Sequence, residues 1–234
     1  MKVELCVASV EALQAAKSMG FDRIELCINL EQGGLTPSLG MVELAMEMNL
    51  DTHVLIRPRI GGFVYQENEI DLIFREVKSM ERIGVQGVVV GALTENIRLN
   101  RVVLKEIRKI FPREITIHRA FDDLIEWKPE LSWLMENNFN RVLTSGLATS
   151  IQLGIPVLKE MKQFAGTAIE IMAGGGIHLA NLELIIQTAS PDAIHFSGTN
   201  KALVEPDSMF SENRLIFDNI KAKKLLDVCR NFSK

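Results

Sequence analysis

Short β-branched runs alternate with longer segments whose apolar residues recur at helical spacing, and the alternation repeats eight times along the chain. The strand candidates are Lys2–Val7, Arg23–Cys27, Thr52–Arg57, Gly87–Val90, Glu114–His118, Arg141–Thr144, Ala168–Met172 and Ala193–Ser197. A helical stretch follows each: Ser9–Met19, Leu39–Met48, Glu67–Ile83, Asn100–Ile110, Lys128–Asn138, Ser150–Phe164, Leu179–Thr188 and Asn213–Asn231. Several of these open on Ser or Asn, whose side chains can accept from the exposed N–H groups of a first turn. Four strands are entered through the same kind of short turn, as in Gly20-Phe21-Asp22-Arg23-Ile24 and Gly84-Val85-Gln86-Gly87-Val88.

Each strand–helix unit averages about 29 residues, the size of a βα repeat, and right-handed crossovers make successive strands parallel. Eight units without a linker or a break in composition predict one domain over residues 1–234, a compact (β/α)8 barrel of the TIM type. A doubly wound open sheet is the alternative.

In a barrel, alternate strand residues point into the lumen and the others pack against the helices. Taking the aliphatic parity as outward exports Val3, Leu5, Val7, Ile24, Leu26, Ile115, Ile117, Ile169, Ile171, Ile194 and Phe196. Glu4, Cys6, Glu25, Cys27, Thr116, His118, Glu170, Met172, His195 and Ser197 are left inside, a polar lumen. Buried carboxylates need cations, and Arg57, Arg59 and Arg119, near the C-terminal ends of their strands, are the expected partners. That end of a barrel is where substrates bind.

The chain has 234 residues, 47% hydrophobic and 24% charged, which suits a globular core and excludes collagen, coiled coil and disorder. A net charge of -4 gives no broad basic field, so neither nucleic acid nor an anionic membrane is an expected partner. Glu4 would interrupt any leader at the start of the chain, and no run of eighteen apolar residues occurs, so a cytosolic location is expected. Three cysteines without CxxC spacing argue against a disulfide framework and against a closed structural zinc site.

Several groups could carry chemistry. Gly174, Gly175 and Gly176 follow the seventh strand, where barrels often cradle a phosphate, although tight turns need the same glycines equally. Thr144 and Ser145 add hydroxyl donors after the sixth strand. His118 and His195 sit at strand ends and titrate near neutrality, which fits acid–base work, ligation or a hydrogen-bonded core role. His53 and His178 carry no such expectation. No strand ends in Lys, so Schiff-base chemistry would need Lys201 to fold inward. Cys6 and Cys27 occupy matching positions on adjacent strands about 4.8 Å apart, so they could share one soft cation such as Cu(I), with Met172 as a thioether neighbour. Two small buried hydrophobes would look the same. Cys229, on the last helix, reads as structural.

Six motifs stand in order: Arg23-Ile24-Glu25-Leu26-Cys27, Gly33-Gly34-Leu35-Thr36-Pro37-Ser38, Ile56-Arg57-Pro58-Arg59, His118-Arg119-Ala120-Phe121-Asp122, Leu143-Thr144-Ser145-Gly146 and Ile171-Met172-Ala173-Gly174-Gly175-Gly176-Ile177. Together they resemble the CutC copper-homeostasis family, from Cys6 to roughly Ser197. The resemblance implies a TIM-barrel-like cytoplasmic protein, a homodimer or larger homo-oligomer, linked to copper tolerance and binding Cu(I) through cysteines that match Cys6 and Cys27. It carries a pocket over to Glu25, Arg57, Arg59, His118, Arg119, Asp122, Thr144, Ser145 and Met172. The chain departs from the family pattern at Gly61-Gly62-Phe63, which lacks an acid, at Glu95-Asn96, and at Asn100, where an Asp is expected.

Two readings follow. In the first, Cys6 and Cys27 hold Cu(I) with help from Met172. In the second, a cofactor-independent isomerase, lyase or hydrolase acts on a small phosphorylated or carboxylated metabolite. There Arg57, Arg59 and Arg119, with Thr144, Ser145, Gly174, Gly175 and His195, would bind the anion while Glu25, His118 and Asp122 move protons.

Overall fold

The computed structural model describes residues 1–205, 209 and 212–232. Eight strands, β1 (Lys2–Val7), β2 (Arg23–Leu26), β3 (Thr52–Leu55), β4 (Gly87–Val90), β5 (Glu114–Ile117), β6 (Arg141–Thr144), β7 (Glu170–Ala173) and β8 (Ala193–Phe196), pair in sequence order, all parallel. β1 also pairs with β8, which closes the barrel. Helices α1 (Val10–Met19), α2 (Leu39–Glu47), α3 (Glu67–Ile83), α4 (Arg101–Ile110), α5 (Trp127–Glu136), α6 (Ile151–Ala165), α7 (Leu179–Ala189) and α8 (Asn219–Asn231) lie between and after the strands. The chain is thus a (β/α)8 TIM-type barrel, and the open-sheet alternative is set aside.

The helix starts follow the side-chain caps. Ser9 accepts from the Ala12 N–H at 3.2 Å, and Asn100 accepts from the Val103 N–H at 3.2 Å. Asn100, one of the departures from the family pattern, therefore starts α4.

One expected element is corrected. The helix anticipated over Asn213–Asn231 begins only at Asn219, where Asp218 accepts from the Lys221 N–H at 2.9 Å. Residues Glu212–Phe217 form β10, antiparallel to β9 (Thr199–Val204). The run Leu215-Ile216-Phe217 suits an extended chain, and pairing with β9 satisfies its backbone groups. Lys201 sits exposed on this hairpin, away from the barrel lumen.

The parity reading holds. Val3, Leu5, Val7, Ile24, Leu26, Ile115, Ile117, Ile171 and Ile194 are almost wholly buried in the layer between strands and helices, each contributing about 1.5–3 kcal/mol by leaving water. Inside, the cations that neutralise the carboxylates are not the expected loop arginines but Arg23 and Arg141, on the strands themselves. Arg23 pairs through Nε with Glu4 and through Nη2 with Glu170 at 2.9 Å. Arg141 pairs with Glu170 at 2.5 Å and with Glu114 at 2.8 Å, and it donates to Thr116 Oγ1 at 2.8 Å. His195 Nδ1 meets the other oxygen of Glu4 at 2.7 Å. Charges therefore alternate without a gap from His195 near the barrel mouth to Glu114 at its N-terminal end.

Candidate functional site

The C-terminal strand ends surround a cavity of about 360 Å³. Cys6 of β1, Glu25 of β2 and His195 of β8 line one side. His118 and Arg119 after β5, Leu143 of β6 and the Gly175–Gly176 turn after β7 line the other. Gln32, Gly33, Arg57 and Phe63 come from the loops after β2 and β3. A second depression of about 790 Å³ lies along α3 and the end of α4, lined largely by charged helix-surface residues. None of its lining groups is an unpartnered buried polar atom, so the chemistry points to the barrel mouth.

Contrary to the matching positions expected from the sequence, the two cysteines are not level. Cys6 stands opposite Glu25 in the β1–β2 ladder, two residues before Cys27, whose N–H reaches Val7 O at 2.9 Å. The strands of a barrel are staggered and tilted, and both side chains still point inward, so the sulfurs lie 3.6 Å apart. Cys6 Sγ also lies 3.8 Å from Glu25 Oε1. Leu55 and Val89 pack around the pair.

This half of the mouth has unusual electrostatics. The contact with Cys27 and then burial push the Cys6 thiol well above its ordinary value, and the charges of Glu25 and Glu4 add to the effect. Burial raises the Glu25 carboxyl to about 7, although His195 pulls the other way. Burial opposes a charge on His195, but Glu25 and Glu4 outweigh it and raise its pKa. For Glu4, burial is more than offset by Arg23 and His195, and its carboxyl stays far below the ordinary range. Oε2 of Glu25 is buried and has no hydrogen-bond partner among the described residues. One ligand atom each from Cys6, Glu25 and His195 lie within 4.8 Å of one another.

Met172 is not brought to the cysteines. It is level with Ala193, packs with Leu143 and Ala193, and its sulfur accepts from Arg23 Nη2 at 3.4 Å. The long Arg23 side chain, drawn toward the acids below, claims that sulfur.

His118 carries the other half. Its Nδ1 accepts from the Ala120 N–H at 3.1 Å, which places the ring proton on Nε2. Nε2 is buried and has no hydrogen-bond partner among the described residues. Burial, assisted by the Arg57 charge, lowers the His118 pKa to about 3, so the imidazole is neutral. The Phe63 ring lies against it, centroids 4.8 Å apart.

The three expected arginines differ in what they face. Arg57 donates to the carbonyls of Gln32, Gly34 and Gly61 at 2.8–2.9 Å and stacks on Phe63. Arg59 turns away to Glu69 and to the carbonyls of Gly62 and Val64. The acid-free Gly61-Gly62 loop thus serves both guanidinium groups through its carbonyls. Arg119 stands at the mouth half-exposed, bonded to Asp122 at 2.8 Å and Ser145 Oγ at 3.0 Å.

Asp122 accepts from Arg119, from Thr144 Oγ1 at 2.5 Å, and from the N–H groups of Ser145 and Leu147. These donors tie Asp122 to the loops after β5 and β6. Thr144 and Ser145 are spent on the same cluster. Gly174 lies beneath the cavity, its N–H bonded to Thr144 O at 3.0 Å, and only Gly175 and Gly176 reach the lining.

Sequence reasoning missed Gln32 and Phe63 in the lining, and Arg23 and Arg141 as the lumen cations. Phe63 carried no periodic signal, being in a loop. Arg23 shares its face with Glu25 two residues on, so parity could have placed it inside. His53, His178 and Cys229 lie away from this site; burial raises the Cys229 thiol to about 12.

Among the described residues, no helix is long and apolar enough to cross a membrane. A putative copper homeostasis protein CutC from Streptococcus agalactiae superposes with a TM-score of 0.79 at 28% identity, covering 83% of this chain and 97% of that one. A CutC family protein of Glaesserella parasuis is 37% identical over 213 residues, 90% of this chain and 88% of the relative. A human protein described as a copper homeostasis protein cutC homolog is 36% identical over 197 residues, 83% of this chain and 72% of its own length. The CutC family profile matches residues 1–200. With the barrel, the staggered cysteines and the polar mouth in place, the chain belongs to the CutC family.

Proposed function

We propose that the barrel mouth holds one Cu(I) ion as cargo, with the thiolates of Cys6 and Cys27 as its principal donors, in the service of copper homeostasis. The observation that carries this reading is the 3.6 Å separation of the two sulfurs beside the cavity. Two thiolates sharing one three-coordinate ion at about 2.3 Å each stand about 4.0 Å apart, so one ion bridges this pair with little movement. Soft thiolates favour Cu(I), and a third donor is within reach on Glu25 or His195. Met172, engaged by Arg23, is not part of the donor set. Because the Cys6 thiol holds its proton firmly, loading releases protons into the cavity. In this reading the protein works in the cytosol as a homo-oligomer, with neither nucleic acid nor a membrane as partner.

Anaerobic Cu(I) titration against a competing chelator tests it, on the parent and on the Cys6→Ser/Cys27→Ser double variant. One tightly held ion per chain, lost in the double variant, is the expected result. Equal binding by the two proteins would overturn the assignment.

A further inference from the structure

The half of the cavity opposite the cysteines has a chemistry of its own. His118 is 5% exposed, and its Nε2 is a buried donor that meets no acceptor among the described residues. An unmet buried donor of this kind is unfavourable, and its ring is locked in place by the Ala120 N–H and by Phe63. Arg119 follows directly in the chain, fixed through Nε to Asp122 and through Nη2 to Ser145. Its guanidinium lies flat on the turn after β7, where a Cβ on Gly175 would stand 2.9 Å from Cζ. Gly175 and Gly176 take φ of 90° and 93°, and among the described residues neither N–H is bonded. Both glycines line the cavity, and successive unbonded backbone N–H groups in a turn are donors that suit an anion. Arg57 adds positive charge from the loop after β3, and Asp122 is already saturated.

We propose that the β5–β7 side of the cavity binds a small organic oxyanion, a carboxylate or a phosphate ester, through His118 Nε2–H, Arg119 and the Gly175–Gly176 turn. The cavity, about 360 Å³, admits a molecule of metabolite size. With its anionic end on this side, the rest of the ligand extends toward Glu25, Cys6 and His195. The site uses neither thiol, so it stands or falls separately from the copper reading.

Calorimetric and thermal-shift titrations with inorganic phosphate, glycerol 3-phosphate and pyruvate, at fixed ionic strength, test the proposal. The informative variant is His118→Asn, whose amide oxygen can replace Nδ1 as acceptor for the Ala120 N–H while the Nε2 donor disappears. We expect at least one of the three probes to bind, and its affinity to fall about tenfold or more in His118→Asn. Preference for phosphate over pyruvate, or the reverse, assigns the anion class. Should His118→Asn fail to fold, 15N-histidine spectra of the parent decide the matter, because a bound anion moves the His118 Nε2–H resonance. No binding of any probe, an unmoved resonance, or full affinity in a folded His118→Asn would overturn the site.

Discussion

Glu25 shows how one buried carboxyl couples the site to stability. Its folded pKa, about 7, lies above its ordinary value of 4.5, so its contribution to stability is full below about 4.5 and is lost as pH rises through 7. Ionising it inside the barrel costs roughly 3 kcal/mol by pH 8, at about 1.4 kcal/mol per pH unit. Glu25→Gln removes that cost, so the variant should gain in melting temperature relative to the parent at pH 8 and gain much less, or lose, at pH 5.5. An equal difference at both pH values would mean that Glu25 titrates normally. At this scale the sequence placed Cys6, Glu25, His118 and His195 at the mouth through strand parity alone. It could not give the stagger of β1 against β2, nor distinguish Arg119 from Arg57 and Arg59. Those outcomes depend on which loop carbonyls and acids each guanidinium meets, and such partners are distant in the chain.

Among the elements, α6 is held to the barrel by the closest backbone approach we find. A Cβ on Gly154 would stand 1.8 Å from Ser145 O, and Gly146 opposite has a φ of 75°. Ser145 and Gly146 continue the strand that leads to the Asp122 cluster, so the packing of α6 fixes those loops. Gly154→Ala should therefore destabilise the protein by about 3 kcal/mol, since backbone cannot yield as a side chain can; chemical denaturation measures it, and a loss below about 0.5 kcal/mol would show that α6 shifts freely. Seven of the eight barrel helices start within a residue of where the pattern and caps put them, and the strands lie within two. The β9–β10 hairpin escaped the sequence because a six-residue strand opposite another needs its partner to be recognised. Leu215 of that hairpin donates its N–H to Glu31 at 2.7 Å, beside the loop that supplies Gln32 to the cavity.

For the molecule as a whole the perturbed carboxyls and histidines pull in two directions, and His118, whose pKa burial lowers to about 3, costs stability as pH falls below about 6.5 and so acts with the acids whose values are lowered. Glu4, Glu170 and Asp51 have lowered pKa values, so their stabilisation disappears as pH falls below the ordinary carboxylate value of about 4.3. Glu25 and His195 have raised values, and theirs disappears as pH rises toward and beyond about 7. Melting temperature should accordingly peak in the weakly acidic range between these limits, and calorimetry from pH 3 to pH 9 checks it; a profile still climbing through pH 8 would contradict the assignment. The chain of charges from His195 to Glu114 has a further consequence, one for the order of folding. Arg23 and Glu170 are 147 residues apart in sequence, and Glu4 and His195 are 191 apart. A nascent barrel lacking β7 and β8 leaves Glu4 and Arg23 with only each other, without the partners that complete the line. Contacts of such long range form slowly, and removing one partner from a buried ionic group is strongly unfavourable. Closure between β8 and β1 is then the step that commits the chain, and an N-terminal half released on its own would persist as an open, poorly packed intermediate rather than as half a barrel.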